Sequence, residues 1–468
     1  MTAPSSEFDV VIVGGGPGGY VAAIRGAQLG MRVALVERES VGGVCLNWGC
    51  IPAKALLRGA DVIALVREAA TYGVDAEVRG FALGPNVEHS REVVDHVVRG
   101  VESLLQQHGV TVVRETAQLL DAHTVLAGER RLGGAHLVIA TGARPSSLPG
   151  APIDAHRILD SRAALGLRET PRSLVIVGGG CVGVEFAYLH RSYGAEVMLV
   201  EHSAHLLGDI DADIVIRLEE SLRRSGIEVL TSARVEALAP GADSVHATVS
   251  REGAQREVQA ERALIAIGIT PNTEGIGLEA AGVSLDARGY VTIDARCETS
   301  TPGVYAIGDV TGIMPLAHVA SAQGVTAIEA LAGLAPPPLD YEWMPRAVYC
   351  APQVGAIGLT EAAARARGHN VSIGRVPYAT NGKAAVLGGG EGIAKLVADA
   401  DTGAILGFHA VGEGATELLA EVGVAHALES TVHEVARTVH AHPTLSELVR
   451  ECALAATGDA IHFYQARR

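Results

Sequence analysis

No stretch of this 468-residue sequence reaches the roughly 18 uninterrupted apolar residues that a membrane-spanning helix needs, so no membrane-embedded segment is expected. Basic runs are missing as well. The formal net charge is −16 and no cluster of Lys and Arg could track a phosphate backbone, which argues against nucleic acid as a partner. That acidity reads as ordinary solubility; attraction toward a basic protein partner is the other reading. The six cysteines do not make a secreted disulfide framework in a chain of this length. The first strand-like run begins near Phe8, which leaves no room for a leader with a basic head and an apolar stretch, so a cytoplasmic protein, or a mature form without its transit peptide, is expected.

What is present is apolar and rich in glycine. Hydrophobic residues make up 48% and charged residues 19%, which excludes a disordered chain, and the length implies two to four domains. The 56 glycines follow no collagen-like period and point to tight turns and close backbone approach to ligands.

Val10 to Glu37, VVIVGGGPGGYVAAIRGAQLGMRVALVE, returns as Leu174 to Glu201, LVIVGGGCVGVEFAYLHRSYGAEVMLVE. Gly14, Gly16, Gly19, Gly30 and Glu37 map onto Gly178, Gly180, Gly183, Gly194 and Glu201. Each copy reads as a buried parallel strand, a glycine turn, a helix and a second strand ending in an acid. In such a unit the first glycine permits the turn, the second lets a pyrophosphate approach, and the third lets helix and strand pack closely. The helix N-terminus offers N–H donors to phosphate, and the terminal acid can accept from ribose hydroxyls. Two units imply two dinucleotides. After Glu201 come His202, Ser203, Ala204 and His205 with no arginine for a 2′-phosphate, so NAD is the expected second ligand.

Leu137 to Pro145 and Ala263 to Asn272 are apolar runs broken by Gly142 and Gly268, expected to close the first and second units. Thr301 to Val310 is a third such run, in which Asp309 either aims at a sugar or ribityl hydroxyl or forms an Asx turn. From about Tyr341, after Pro336 to Pro338, alternating runs at Ala347 to Leu359 and Gly392 to Val397 suggest an antiparallel sheet, with helices from Ala415 onward.

Gly42 to Leu57, GGVCLNWGCIPAKALL, carries the chemistry. Pro52 suits a first helical turn, which puts Cys50 at the helix N-terminus, where a thiolate is favoured. Cys45 can fold back to form a small disulfide loop. Buried small hydrophobes or half a zinc site are the alternatives, but Cys181, Cys297, Cys350 and Cys452 are scattered singly and supply no further ligand pair. Lys54 lies one turn beyond Cys50 on the same face, in a chain whose positive charge is nearly all arginine. In His440 to Glu447, HAHPTLSE, Thr444 and Glu447 have capping-box spacing. His442 just before them is either a loop histidine or a proton-transfer group.

With GGVCLNWGCIPAK, GGGPGGY, GGGCVGVE, TPGVYAIGD, PLAH (Pro315 to His318) and HAHPTLSE in hand, the chain resembles the pyridine nucleotide-disulfide oxidoreductase family end to end. Within that family it is most similar to the branch serving 2-oxoacid dehydrogenase complexes. The resemblance implies an α/β fold of two Rossmann-like dinucleotide-binding domains plus an α+β C-terminal dimerisation domain. It places an FAD domain at 1–147 and 275–340, an NAD domain at 148–274 and an interface domain at 341–468. FAD would lie among Gly14, Gly16, Gly19, Glu37, Gly43, Lys54, Ala117, Thr141, Gly142, Asp309 and Ala317. NAD would lie among Gly178, Gly180, Gly183, Glu201, Val235 and Gly268. Glu185 would pair with Lys54, or else be a dipole-stabilising acid in a first helical turn. Cys45 would be the exchanging thiol and Cys50 the flavin-facing one, with His442, oriented by Glu447, taking the substrate proton.

The implied reaction is oxidation of dihydrolipoyl groups by NAD. The implied partners are a second copy of the chain, lipoyl-bearing domains and an E2 acyltransferase core. Val44, Val319, Ser321 and Gln323 depart from the family pattern. The rival readings are a reductase of glutathione, mycothiol or a biosynthetic disulfide, and a docking subunit without turnover. A mercuric reductase is disfavoured because the terminal FYQARR lacks a cysteine pair.

Overall fold

The structure, a computed structural model, describes residues 7–464, so the last four residues of the FYQARR terminus lie outside it. The chain divides into two compact units. One holds the described residues up to Leu56, with Gly84–Ser146 and Gly268–Tyr341; the other holds Leu57–Leu83, Ser147–Ile267 and what is described from Glu342 onward.

In the first unit, β1 (Phe8–Val13) leads through a glycine turn into α1 (Pro17–Gln28) and back to β2 (Val33–Val36). β1 pairs in parallel with β2 on one side and with Arg130–Ile139 on the other, and Val304–Ala306 extends the sheet beyond that strand. Val10, Val11 and Ile12 are fully buried, which explains the unbroken VVIV run: covered on both faces, a parallel strand has no polar side to show. The runs containing Gly142 and Gly268 do not continue as single strands. Each breaks at its glycine, and the short pieces Ala143–Pro145 and Ile269–Pro271 then pair with each other antiparallel.

The second unit repeats the motif as Ser173–Val177, the helix Cys181–Ser192 and Glu196–Val200, all in one parallel sheet with Arg262–Ile265. A three-stranded antiparallel meander, Ala233–Pro240, Val245–Arg251 and Ala254–Ala260, packs against it. The same unit carries the antiparallel sheet read from the alternating C-terminal runs, ordered Arg346–Val348, Gln353–Gly358, Ile405–Gly412, Ile393–Asp399, Val371–Pro377. Helices Leu419–Ala427, Val432–Arg437 and Glu447–Thr457 cover it through a core that includes Phe408, Val422 and Cys452. Among the described residues no helix is long and apolar enough to cross a membrane.

Candidate active site

The two glycine turns have the same geometry. Gly14 and Gly178 both sit at φ +109°, and a Cβ there would lie 2.2 Å from the Ala140 carbonyl oxygen and 2.3 Å from that of Ala266. A Cβ on Gly19 or Gly183 would strike the carbonyl oxygen of the first glycine of its own turn, at 1.8 and 1.9 Å. Gly16 and Gly180 differ: a Cβ on either would meet nothing within 4 Å. These two cap their helices without any side-chain hydrogen bond. Each helix therefore opens N–H groups and the positive end of its dipole onto vacant space, the arrangement that fits a phosphate. The strand-end acids are fixed alike: Glu37 accepts from the amides of Gly15 (2.7 Å) and Glu39 (2.8 Å), Glu201 from those of Gly179 (2.6 Å) and Ser203 (2.7 Å). Burial works against ionisation of Glu201, but the Ser203 and Gly179 amides hold its carboxyl below the usual range.

The cysteine segment is tied directly to the first turn. The Gly42 amide donates to the Gly15 carbonyl at 2.8 Å, and a Cβ on Gly43 would lie 2.7 Å from the Gly16 Cα. From there α2 (Gly43–Trp48) carries Cys45, Gly49 breaks the helix, and α3 (Cys50–Glu68) starts at Cys50, as Pro52 implied. The two cysteines are free thiols whose side chains are hydrogen-bonded to each other. The bond to Cys50, then burial, then the charge of Cys50 push the Cys45 thiol far up, while the Lys54 ammonium opposes them. Cys45 also adds to the burial that raises the phenol of Tyr20, the residue closing the GGGPGGY motif.

Other first-unit positions follow. Ala117 is buried at the start of a short strand, and Gly142 lies at φ +67°. The Thr141 hydroxyl donates to the Asn272 carbonyl at 2.9 Å, and the Asn272 amide returns a bond to the Thr141 carbonyl at 2.9 Å. Gly268, at φ +117°, accepts from the Ser146 amide. Asp309 lies in a turn of 3-10 helix, Gly308–Thr311, just after the strand, and Ala317 opens the helix Ala317–Leu331. Burial alone raises the Asp309 carboxyl to about 6, and among the described residues no side chain or amide donates to it. A half-buried carboxyl in that state fits a hydroxyl-bearing ligand.

In the second unit, Val235 is half-buried at a bulge in the meander. Glu185 is buried and accepts from the Tyr349 amide at 3.0 Å, with the Cys181 thiol 3.6 Å away. His442 Nδ1 lies 3.0 Å from Glu447 Oε1, and the ring is largely exposed. Burial disfavours the Glu447 charge, yet the Thr444 amide and the His442 ring hold its carboxyl below the usual range. The capping box read at Thr444 forms only by half. Glu447 accepts the Thr444 amide at 3.0 Å, but the Thr444 hydroxyl binds the Ala441 carbonyl and Ser446 Oγ, so the helix starts later, at Glu447.

Several residues escaped the sequence reading. Glu451, one turn past Glu447, accepts both the His462 amide (2.8 Å) and its Nδ1 (2.9 Å), and Glu451, Glu447, His462 and His442 line one small cavity of about 50 Å³. Gln323, noted only as a departure, accepts the Gly308 amide at 2.6 Å and donates to the Tyr341 hydroxyl at 2.9 Å, so it fixes the turn bearing Asp309. Asn47 is buried and donates to the carbonyls of Val41 and Gly43 at 3.0 Å each, and its own carbonyl accepts from Arg91. The CLNWGC run placed Asn47 near the chemistry; nothing local signalled Arg91.

The family described as pyridine nucleotide-disulphide oxidoreductase matches residues 8–324, and its dimerisation domain matches residues 344–453. A Bacillus subtilis protein named dihydrolipoyl dehydrogenase is 40% identical over 474 residues, covering 98% of this chain and 100% of that protein. One of the same name from Chlorobaculum parvum is 43% identical, covering 97% of each. Among solved structures, LpdA from Mycobacterium tuberculosis superposes with a TM-score of 0.89 at 29% identity, covering 95% of this chain and 98% of that one. The flavoprotein disulfide reductase RclA from Escherichia coli superposes with a TM-score of 0.84 at 26% identity, covering 95% and 99%. On its motifs, its fold and these matches, the chain belongs to the pyridine nucleotide-disulphide oxidoreductase family.

Proposed function

We propose that this chain catalyses the dihydrolipoyl dehydrogenase reaction, the NAD-dependent oxidation of dihydrolipoyl groups to the cyclic disulfide. The observation that carries the reading is the thiol pair itself: Cys45 and Cys50 in contact at the head of α3, joined through Gly43 to the first dinucleotide turn. The relatives bearing that activity's name support the substrate, since they match nearly the whole chain.

FAD and NAD are the cofactors. The residues that would hold FAD are Gly14, Gly16, Gly19, Glu37, Gly43, Lys54, Ala117, Thr141, Gly142, Asp309 and Ala317. Those for NAD are Gly178, Gly180, Gly183, Glu201, Val235 and Gly268. The open space at Gly16 and Gly180 and the Asp309 carboxyl, to which nothing among the described residues donates, support this assignment. When bound, FAD accepts the electron pair from the dithiol and NAD+ receives it finally as hydride.

The protein's own steps are thiol exchange. A substrate thiolate, its proton taken by His442, attacks Cys45 Sγ in the oxidised pair, and the Cys45–Cys50 bond breaks to leave Cys50 as thiolate. The second substrate thiol, releasing its proton to solvent, attacks the first substrate sulfur, closing the lipoyl ring and expelling Cys45, which takes the proton from His442. Glu447 keeps the His442 ring oriented. Lys54 would supply the positive charge beside the flavin.

His442 serves the cysteines of a second copy. The dimerisation-domain match over residues 344–453 supports a homodimer, with 341–468 as its interface domain beside the FAD and NAD domains. Lipoyl-bearing domains, with an E2 acyltransferase core, are the partners that present the substrate, and the setting is cytoplasmic.

The test is turnover by the purified FAD-loaded protein. NAD+ with dihydrolipoamide should be the productive pair, and activity confined to NADPH with glutathione or mycothiol disulfide would overturn the reading. Cys45→Ser should retain FAD and lose lipoyl turnover by roughly a thousandfold or more, the scale expected when a nucleophile is removed. Retained turnover in that variant would refute the thiol role.

A further inference from the structure

The loop between the two cysteines is held by a cation from outside it. α2 ends at Trp48 and α3 begins at Cys50, so the last carbonyls of α2 have no helical continuation to accept from. The Asn47 carbonyl, midway between Cys45 and Cys50, is taken instead by Arg91 Nη1 at 2.8 Å, from the helix α4 (Leu83–Gln107). Two more atoms of that guanidinium, Nε and Nη2, are buried and meet no acceptor among the described residues. Burial weakens the hold of Arg91 on its charge, and Asp95, one turn along α4, offsets that without forming an ion pair with it. A guanidinium still stays protonated in such surroundings.

A neutral amide could satisfy one carbonyl at lower cost. Keeping a half-buried cation with two unused donors there is explained if the charge itself matters. Reduction of the Cys45–Cys50 disulfide by two electrons and one proton breaks the S–S bond and leaves one thiol and one thiolate, so the loop gains a negative charge. A fixed cation at the loop, at the C-terminal end of α2, favours that reduced state, while the bond to Asn47 keeps the loop in the shape that holds the sulfurs together.

We propose that Arg91 is a positioning residue that sets the reduction potential of the Cys45–Cys50 pair, through its charge and through its clamp on the Asn47 carbonyl. This rests on the disulfide chemistry proposed above.

The experiment equilibrates FAD-loaded wild type, R91K, R91Q and R91M with a graded series of reduced and oxidised dithiothreitol. The fraction of Cys45–Cys50 disulfide is then read by thiol labelling and mass spectrometry. R91M and R91Q should be harder to reduce by at least tenfold in the equilibrium constant, about 30 mV for this two-electron couple. R91K, which keeps the charge, should shift less. If R91M does not fold, R91Q and R91K carry the comparison. Variants that titrate with the wild type within twofold, even if their thermal stability falls, would make Arg91 a purely structural residue and overturn the inference. A wild type whose cysteines never close in any buffer would instead defeat the disulfide reading itself, and this inference with it.

Discussion

The three glycines of the first turn do different jobs, and their geometry predicts different failures. Gly14 needs a positive φ and has a carbonyl oxygen 2.2 Å from any Cβ, so Gly14→Ala should cost roughly 3 kcal/mol or more of stability through strain and clash. Gly16 is at φ −66° with open space ahead, so alanine fits the backbone there. Gly16→Ala should leave the melting temperature of flavin-free protein unchanged or slightly raised, because such a change restricts the unfolded chain by about 0.4–1 kcal/mol. The same methyl occupies the space proposed for phosphate, so FAD affinity should fall at least tenfold, a loss of about 1.4 kcal/mol. Calorimetry of flavin-free protein, with flavin titration, separates the two; equal affinity in Gly16→Ala would remove that turn from the FAD site. This level of detail was legible in the sequence because the repeat fixes register and each glycine has a local steric reason. Gln323 was not. Its partners, Gly308 and Tyr341, lie on either side of it in chain, and only the fold shows the side chain bridging them.

At the scale of elements, periodicity and capping signals located helices well but misjudged how the helix after HAHPTLSE begins. Thr444 spends its hydroxyl on Ala441 and Ser446, and Glu447 serves His442 as well as the Thr444 amide. The same helix carries Glu451, which holds the segment that follows it by the amides of Ile461 and His462 and the His462 ring. Burial raises the Glu451 carboxyl, but the His462 ring and the two amides more than offset it and leave it below the usual range. A carboxyl depressed in the fold contributes stability above its unfolded value, about 4.3, and loses that contribution as pH falls through the folded value. Glu451→Ala should therefore cost roughly 2–3 kcal/mol at neutral pH and less at pH 3. Urea unfolding at both pH values gives the first quantity, and hydrogen exchange should show residues 459–464 released in the variant. Undiminished protection there would show that the segment is held by something else. The sequence reading had no access to this tie, because His462 falls in a stretch with no periodic pattern.

Across the second unit, the NAD-type segment and the C-terminal sheet are joined by a buried ion cluster. Lys395, 2% exposed on the strand Ile393–Asp399, donates to Asp211 (2.8 and 3.0 Å), Asp213 (2.7 Å) and Glu361 (2.8 Å). Asp211 caps the helix Ala212–Arg224, Arg375 also bonds Asp213, and the buried His409 ring faces the Asp211 amide. Residues 211 and 395 are 184 positions apart, and each is unremarkable where it stands: an N-cap and a lysine in an apolar strand. The scarcity of lysine drew attention to Lys54 and could equally have drawn it to Lys395, whose IAKLVAD run should be wholly apolar if it only filled a core. Burial lowers the Lys395 ammonium, but the three carboxylates outweigh that and raise it, and Asp213 and Glu361 are held below their usual range despite burial. The lysine's contribution is thus complete below about pH 10.4 and lost as pH rises through its folded value, while those of Asp213 and Glu361 disappear as pH falls below about 4. Removing the cation alone strands the acids, so Lys395→Met should cost roughly 3–5 kcal/mol at pH 7. Adding Asp211→Asn and Glu361→Gln should recover part of it, since the uncompensated charge is then gone. Denaturant unfolding of the single and triple variants measures both quantities. If the single variant loses under about 1 kcal/mol, the cluster is no more than a solvent-screened ion pair and does not hold the two segments together.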